Sequence, residues 1–249
     1  MIRRGGRKSG FALAAGVTRA GAAMLRRAAP GGRERWERKN YAGRTVELYA
    51  GPACAVGVAL AAARVHPAAG AAVLAAGACG AYDDVAGDGR RGLRAHLRAL
   101  REGEVTSGSV KLFGISAAGL VAGALMKERV PDKLLAGVVI AGAAHFVNLV
   151  DVRPGRAAGA VLALGTPGLL REGPGAELSA AAMGAAAAVL PEDLGERVMI
   201  GDTGAHALGA ALGAAVVACN RRAGLLAHAV AIVAAAGYGD RVTAWARSR

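Results

Sequence analysis

The sequence predicts an all-α fold, a polytopic transmembrane helix bundle of about 8 to 9 spans, on three observations. Fifty-four per cent of the 249 residues are hydrophobic, and the mean hydropathy is positive. The net charge is nevertheless +13, because 31 Lys and Arg residues outnumber 18 acidic ones. Apolar stretches without charge recur along the chain, separated by arginine-rich gaps, at residues 48–63, 65–82, 112–126, 134–150, 157–170, 178–191, 203–220 and 223–239.

Each apolar stretch is about 14 to 18 residues long, slightly below the roughly 20 that cross a hydrocarbon core. We therefore expect each helix to extend into its flanks or to direct arginine side chains toward the interface. A soluble alanine-rich helical protein is the alternative. Residues 203–220 and 223–239 argue against it because they are apolar or small on all sides, whereas a soluble helix needs a polar stripe.

The amino-terminal part gives a weaker signal. Residues 10–25 form a weak first span or an interfacial helix, because Arg19 interrupts the apolar pattern. No linker, repeat or low-complexity tail divides the chain, so residues 1–249 are predicted to form a single integral membrane domain. With no CxxC pair, the cysteines are expected to be buried small hydrophobic residues, namely Cys54, Cys79 and Cys219.

The basic residues are unevenly distributed between the two ends of the predicted helices. If the first segment spans, alternation places nineteen of the 31 Lys and Arg residues on one side, in residues 26–47, 83–111, 151–156, 191–201 and 240–249. The opposite loops hold seven, so the positive-inside rule predicts that the first side is cytoplasmic in a multi-pass protein of the cell membrane. Contact with anionic lipid headgroups explains this charge without nucleic acid as a partner.

Acidic residues follow the predicted helix that ends at residue 82. Asp83 and Asp84 lie where the helix macrodipole is negative, so two adjacent carboxylates are unfavourable there unless a divalent cation binds. Carboxylate oxygens suit Mg²⁺, which commonly takes one or two of them together with substrate phosphates. A solvated helix end is the alternative interpretation.

Two further polar groups lie on the same predicted side. Asn148 and Asp151 close another apolar stretch at i, i+3 spacing, either as a functional pair or as a helix end before a Pro-Gly turn. Asp202 opens a long apolar helix, either as its N-cap or beside an N-terminus that receives a phosphate. Carboxylates converging from separate helices could build a metal and pyrophosphate site.

These motifs resemble a known family in order and spacing. AYDDVAGD is followed about 25 residues later by a lysine before a span, then by NLVDVRPGRA and MIGDTGAHALG. Over about residues 40–213, this pattern resembles the polyprenyl-phosphate N-acetylhexosamine-1-phosphate transferases and their relative, phospho-N-acetylmuramoyl-pentapeptide translocase. The resemblance implies an enzyme that moves a sugar 1-phosphate from a UDP-sugar, the nucleotide-sugar partner, to a polyprenyl phosphate lipid at the cytoplasmic membrane face.

The resemblance also implies roles for individual residues. The catalytic residues would be Asp83, Asp84 and Asp202, with Asp202 and Asp84 as ligands of Mg²⁺, for which Mn²⁺ could substitute. The substrate-binding residues would be Lys111, Asn148 and Asp151. Arginines within residues 90–101 would hold phosphate oxygens or would simply be positive-inside charge.

The chain departs from the family pattern at several places. The second aspartate of the family's NxxDGxDG element falls on Pro154, the histidines of its late loop are absent, and about nine spans are predicted instead of ten or eleven. His206 and His228 are isolated in apolar segments and are expected to be structural. A catalytically inactive relative acting as a membrane partner and a transporter are the alternatives, and a homodimer is compatible with the sequence.

Overall fold

The computed structural model describes residues 6–87 and 98–248, most of which are α-helical. The all-α prediction is therefore confirmed for this part of the chain. The helices are α1 (Arg7–Ala28), α2 (Ala50–Val65), α3 (Pro67–Ala86), α4 (Ser107–Met126), α5 (Val130–Val150), α6 (Arg156–Leu169), α7 (Pro174–Leu194), α8 (Gly201–Cys219), α9 (Arg222–Gly237) and α10 (Gly239–Ser248).

The polar segment between α1 and α2 contains a small hairpin. A 3₁₀ turn (Arg33–Trp36) leads into β1 (Glu37–Lys39), which pairs antiparallel with β2 (Thr45–Glu47). Glu47 also pairs with the segment before α8, since its N–H donates to the Arg197 carbonyl at 3.1 Å. The hairpin thus fixes the chain that enters α8.

Helix α8 is at the centre of the bundle and packs most extensively against α3 and α5. Small residues permit this close packing, because a Cβ added at Gly213 would lie 2.7 Å from the Ile140 Cα. Within the most apolar 18-residue windows, 78% of α8 is buried, against 50% of α5 and 28% of α4. Helix α8 therefore contacts mainly other helices.

Three of the described helices, α4, α5 and α8, are long and apolar enough to cross a membrane. The pair α9 and α10 also passes this test as one broken segment, bent by 80°. The remaining described helices are shorter or less apolar, so the predicted count of about 8 to 9 spans is not confirmed. These three or four helices are consistent with a membrane protein.

Alternate helix ends lie together, as expected for successive antiparallel helices. At one end, Arg26 in the last turn of α1 contacts Glu192 near the end of α7, and the N–H of Gly155 before α6 donates to Asp193. We call this the carboxylate end, defined by Asp83, Asp84, Asp151, Asp193 and Asp202. The opposite end joins Lys127 to the carbonyl of Asn220 and Arg222 to Asp132.

Candidate functional site

The first turn of α8 is held by a carboxylate from α3. Asp84 Oδ1 accepts a hydrogen bond from the Asp202 N–H at 2.9 Å, and Asp84 Oδ2 accepts from the Thr203 N–H at 3.0 Å and hydroxyl at 2.6 Å. Asp84 therefore satisfies backbone donors that a helix N-terminus leaves unpaired. Asp202 is not the N-cap of α8, because the helix begins at Gly201 and its N-cap residue is Ile200. The side-chain acceptor that caps the helix comes from Asp84 instead.

Gly201 is required at this turn. Its φ of +57° lies in the left-handed region, and an added Cβ would lie 2.9 Å from both carboxylate oxygens of Asp84. Gly80 of α3 plays a similar part, since a Cβ there would lie 2.7 Å from the Thr203 nitrogen. These two glycines let α3 and α8 approach closely enough for the carboxylates to meet.

Lys111 links two of the predicted site residues. Its Nζ donates to Asp83 Oδ2 at 2.6 Å and also to Asp202 Oδ2. All three side chains are partly buried, with exposed fractions of 15% for Lys111, 21% for Asp83 and 26% for Asp202. The resemblance placed Lys111 between two spans, whereas it lies within the first two turns of α4. One ammonium group thus joins carboxylates from α3 and α8.

The end of α5 brings Asn148 and Asp151 to the same end of the bundle. Asp151 is the C-cap of α5, and its N–H donates to the Asn148 carbonyl at 3.2 Å. Burial, together with the nearby carboxylates of Asp193, Asp202 and Asp84, raises the pKa of Asp151 well above its usual range. Asp151 is therefore an acid in a field of like charges, where a bound cation would favour its ionised form.

Asp193 also belongs to this cluster, although it was not among the predicted site residues. It is buried, and its Oδ2 accepts a hydrogen bond from the Gly155 N–H at 2.7 Å. This bond ties the end of α7 to the turn that follows Asp151. Its position in the sequence could have predicted this. Asp193 comes two residues after the apolar stretch 178–191, just as Asp83 follows the stretch 65–82.

Two histidines lie beside the carboxylates. His206 is fully buried, with Nδ1 2.7 Å from the Asp202 carbonyl, and its ring meets that of His145 edge-to-face at 5.4 Å. Within the described residues, the Nε2 atoms of both rings are buried without a hydrogen-bond partner. His145 was missed, although it lies three residues before Asn148. His228, by contrast, is exposed on α9.

The carboxylates at this end can be compared with the ligands that a divalent metal ion needs. Across residues 6–87 and 98–248, no group of three or more His, Cys, Asp and Glu side chains has a metal-binding arrangement. Asp83 and Asp202 nevertheless already share one cation, the Lys111 ammonium, so they fit a divalent ion of the kind that prefers carboxylate oxygens. The predicted pair was Asp84 and Asp202, and Asp84 is the acid whose oxygens face the α8 backbone.

Part of the predicted arginine run has no structural description, because residues 90–97 lie outside the described residues. Arg98 and Arg101 are exposed and lie in a short helical segment at residues 98–101, before α4.

No protein-family model matches the chain, and no curated protein matches its sequence. The chemistry of the carboxylate end is therefore the main indication of function.

The capping role of Asp84 can be separated from that of its neighbour by matched substitutions. Asp84→Ala removes the acceptor for two backbone N–H groups of α8, which should cost about 1–3 kcal/mol of stability. Asp83→Ala leaves these bonds intact and should cost less. Thermal unfolding of both variants in detergent measures the difference. An equal loss, or a larger one for Asp83→Ala, would contradict the assignment.

Proposed function

We propose that this protein is a membrane phosphoglycosyltransferase that moves a sugar 1-phosphate from a UDP-sugar to a polyprenyl phosphate at the cytoplasmic face, with Mg²⁺ as cofactor. The main support is the convergence of Asp83, Asp84 and Asp202 with Lys111. These residues come from α3, α4 and α8, yet they are joined by direct hydrogen bonds. Clustered carboxylates with one lysine suit a reaction between two phosphate-bearing substrates.

The proposed placement puts the bundle across the membrane with about 8 to 9 spans. The carboxylate end would face the cytoplasm, since the loops at that end carry most of the basic residues. There, a soluble nucleotide sugar can approach from water while the acceptor lipid approaches from the bilayer. The site residues lie near helix ends, which suits a reaction at that boundary.

In the proposed reaction, a phosphate oxygen of the prenyl phosphate attacks the β-phosphorus of the UDP-sugar. The bond from that phosphorus to the bridging oxygen breaks, and UMP leaves with that oxygen. The enzyme mainly positions the reactants and neutralises charge. Asp83 would act as a base toward the acceptor phosphate, with covalent attack by Asp83 as the alternative, and Lys111 would contact phosphate oxygens.

The carboxylates would also hold the cofactor. Asp202 with Asp84, as the resemblance implies, or with Asp83, as the shared Lys111 contact favours, would be the ligands. When bound, Mg²⁺ would supply positive charge to the pyrophosphate. Asn148 and Asp151 lie at the same end, where they could contact the nucleotide sugar.

The positions of the acids weigh against the transporter alternative. A transport pathway would place carboxylates at mid-membrane depth. Asp84 is instead two residues from the end of α3, and Asp202 is the second residue of α8. A catalytically inactive relative would have its carboxylates in the same positions as an active enzyme. Only an activity assay distinguishes these two hypotheses.

Release of UMP tests the proposal directly. The purified full chain in detergent is incubated with Mg²⁺, polyprenyl phosphate and a panel of UDP-sugars. We expect UMP from at least one donor, and only when both the acceptor lipid and the divalent cation are present. No UMP from any donor would favour the inactive relative. Substrate flux into vesicles without turnover would favour a transporter, and release of UDP would indicate a different bond cleavage.

A further inference from the structure

A cavity of about 370 Å³ opens at the opposite end of the bundle, far from the carboxylate end along the helices. It lies where α4 and α8 end and where α5 and α9 begin. We call it the basic pocket, and it is lined by Lys127, Arg129, Asp132, Asn220, Arg221, Arg222 and Leu225. Four cationic side chains and a single acid make the lining positive.

Two of the four cations are already engaged inside the protein. The Arg222 Nε donates to Asp132 at 2.6 Å, and the Lys127 Nζ donates to the Asn220 carbonyl at 3.0 Å. Arg129 and Arg221 are exposed, and no side-chain hydrogen bond or ion pair joins either of them to another described residue. The pocket therefore has two guanidinium groups that can bind an anion, and guanidinium matches phosphate oxygens bidentately.

The backbone adds to this preference for an anion. Arg129 and Arg221 are the N-cap residues of α5 and α9, and neither helix has a side-chain cap at this end. At α9 the N–H groups of the first turn and the positive end of the helix dipole therefore lie beside the guanidinium groups, with no acidic residue in that turn. At α5 the backbone offers less, because Pro131 has no N–H and the Asp132 N–H donates to the Arg129 carbonyl at 2.9 Å. An anion in the pocket would therefore contact guanidinium groups and backbone N–H donors at the same time.

The surroundings favour a lipid over a soluble anion. The helices that meet here are α4, α5, α8 and the broken pair beginning with α9, the same ones that can cross a membrane by length and composition. Exposed apolar side chains adjoin the pocket along the chain, namely Leu125, Val130, Leu134 and Leu226. They offer acyl chains an apolar surface directly beside the cationic groups.

We propose that the basic pocket binds the phosphate headgroup of an anionic glycerophospholipid from the leaflet opposite the carboxylate end. The acyl chains would lie along the exposed apolar residues of α4, α5 and α9. This inference depends on the proposed membrane insertion and not on the proposed transferase chemistry.

Native mass spectrometry of the full chain in detergent tests this inference with three probes: phosphatidylglycerol, phosphatidylcholine and inorganic phosphate. We expect phosphatidylglycerol to remain bound, phosphatidylcholine to dissociate, and inorganic phosphate not to displace the lipid. The double variant Arg129→Gln/Arg221→Gln should lose phosphatidylglycerol binding roughly tenfold or more. The matched control Arg64→Gln/Arg171→Gln removes two exposed arginines outside the pocket lining and should retain the lipid.

Three results would overturn the inference. Displacement by inorganic phosphate would indicate a site for a soluble anion, and equal retention of phosphatidylcholine would show that the headgroup charge is irrelevant. Equal loss in the control variant would show general attraction between basic residues and the membrane. Thermal unfolding of both double variants confirms that they are folded. Because the readout is lipid binding, it is independent of UMP release.

Discussion

Asp202→Asn is expected to lower UMP release by at least about a hundred-fold, the size of effect seen when one group that stabilises a charged transition state is removed. The substitution keeps the shape of the side chain but removes the charge that faces Lys111. It also leaves the backbone N–H of residue 202 free to donate to Asp84, so α8 should keep its first turn. Initial rates at saturating donor and acceptor measure the effect.

Asp240→Asn provides the control for this substitution. Asp240 is an exposed acid of α10, so the same chemical change there should leave both the rate and the stability unchanged. An Asp202→Asn enzyme that kept more than half of the normal rate would exclude a catalytic or metal-binding role for Asp202. A thermal unfolding temperature close to that of the parent protein would show that lost activity does not reflect unfolding.

Lys111→Gln is expected to change two properties in opposite directions. UMP release should fall about a hundred-fold, because a cation that neutralises phosphate oxygens is lost. Binding of Mg²⁺ should become tighter, since the ammonium no longer competes for Asp83 and Asp202. Isothermal titration with Mg²⁺ in the absence of substrates measures the second effect.

This opposite response distinguishes a role in phosphate binding from a purely structural one. A lysine that only stabilised the fold would weaken both activity and metal binding when replaced. Lys8→Gln, which changes an exposed lysine at the start of α1, should alter neither property. Unchanged or weaker Mg²⁺ binding by Lys111→Gln would mean that the ammonium and the metal do not share a position.

The helices of this protein could be predicted well because their signal is local. The apolar stretch 203–220 corresponds to α8 (Gly201–Cys219), and the stretch 134–150 corresponds to α5 (Val130–Val150), which extends into its flank as expected. Alternation of successive helices then placed Asp83, Asp151 and Asp202 at one end. No long-range information was needed for that step.

The roles of individual carboxylates could not be predicted in this way. Asp83 and Asp84 are adjacent in sequence, yet one contacts Lys111 and the other caps a helix 118 residues away. Which acid takes which role depends on how α3 packs against α8, and Gly80 and Gly201 set that packing. The short hairpin before α2 was also missed, because strands of three residues have too little periodicity to be recognised.

The central position of α8 has a consequence for how the protein is made. Helix α8 is translated after α1 to α7, yet it lies between α2, α3, α5 and α7 rather than at the periphery. Earlier helices must therefore leave a gap for it or move apart when it arrives. Until then Asp84 has no helix terminus to cap, and Asp83 is the one carboxylate among the described residues that Lys111 can contact, so the site is completed late in biogenesis.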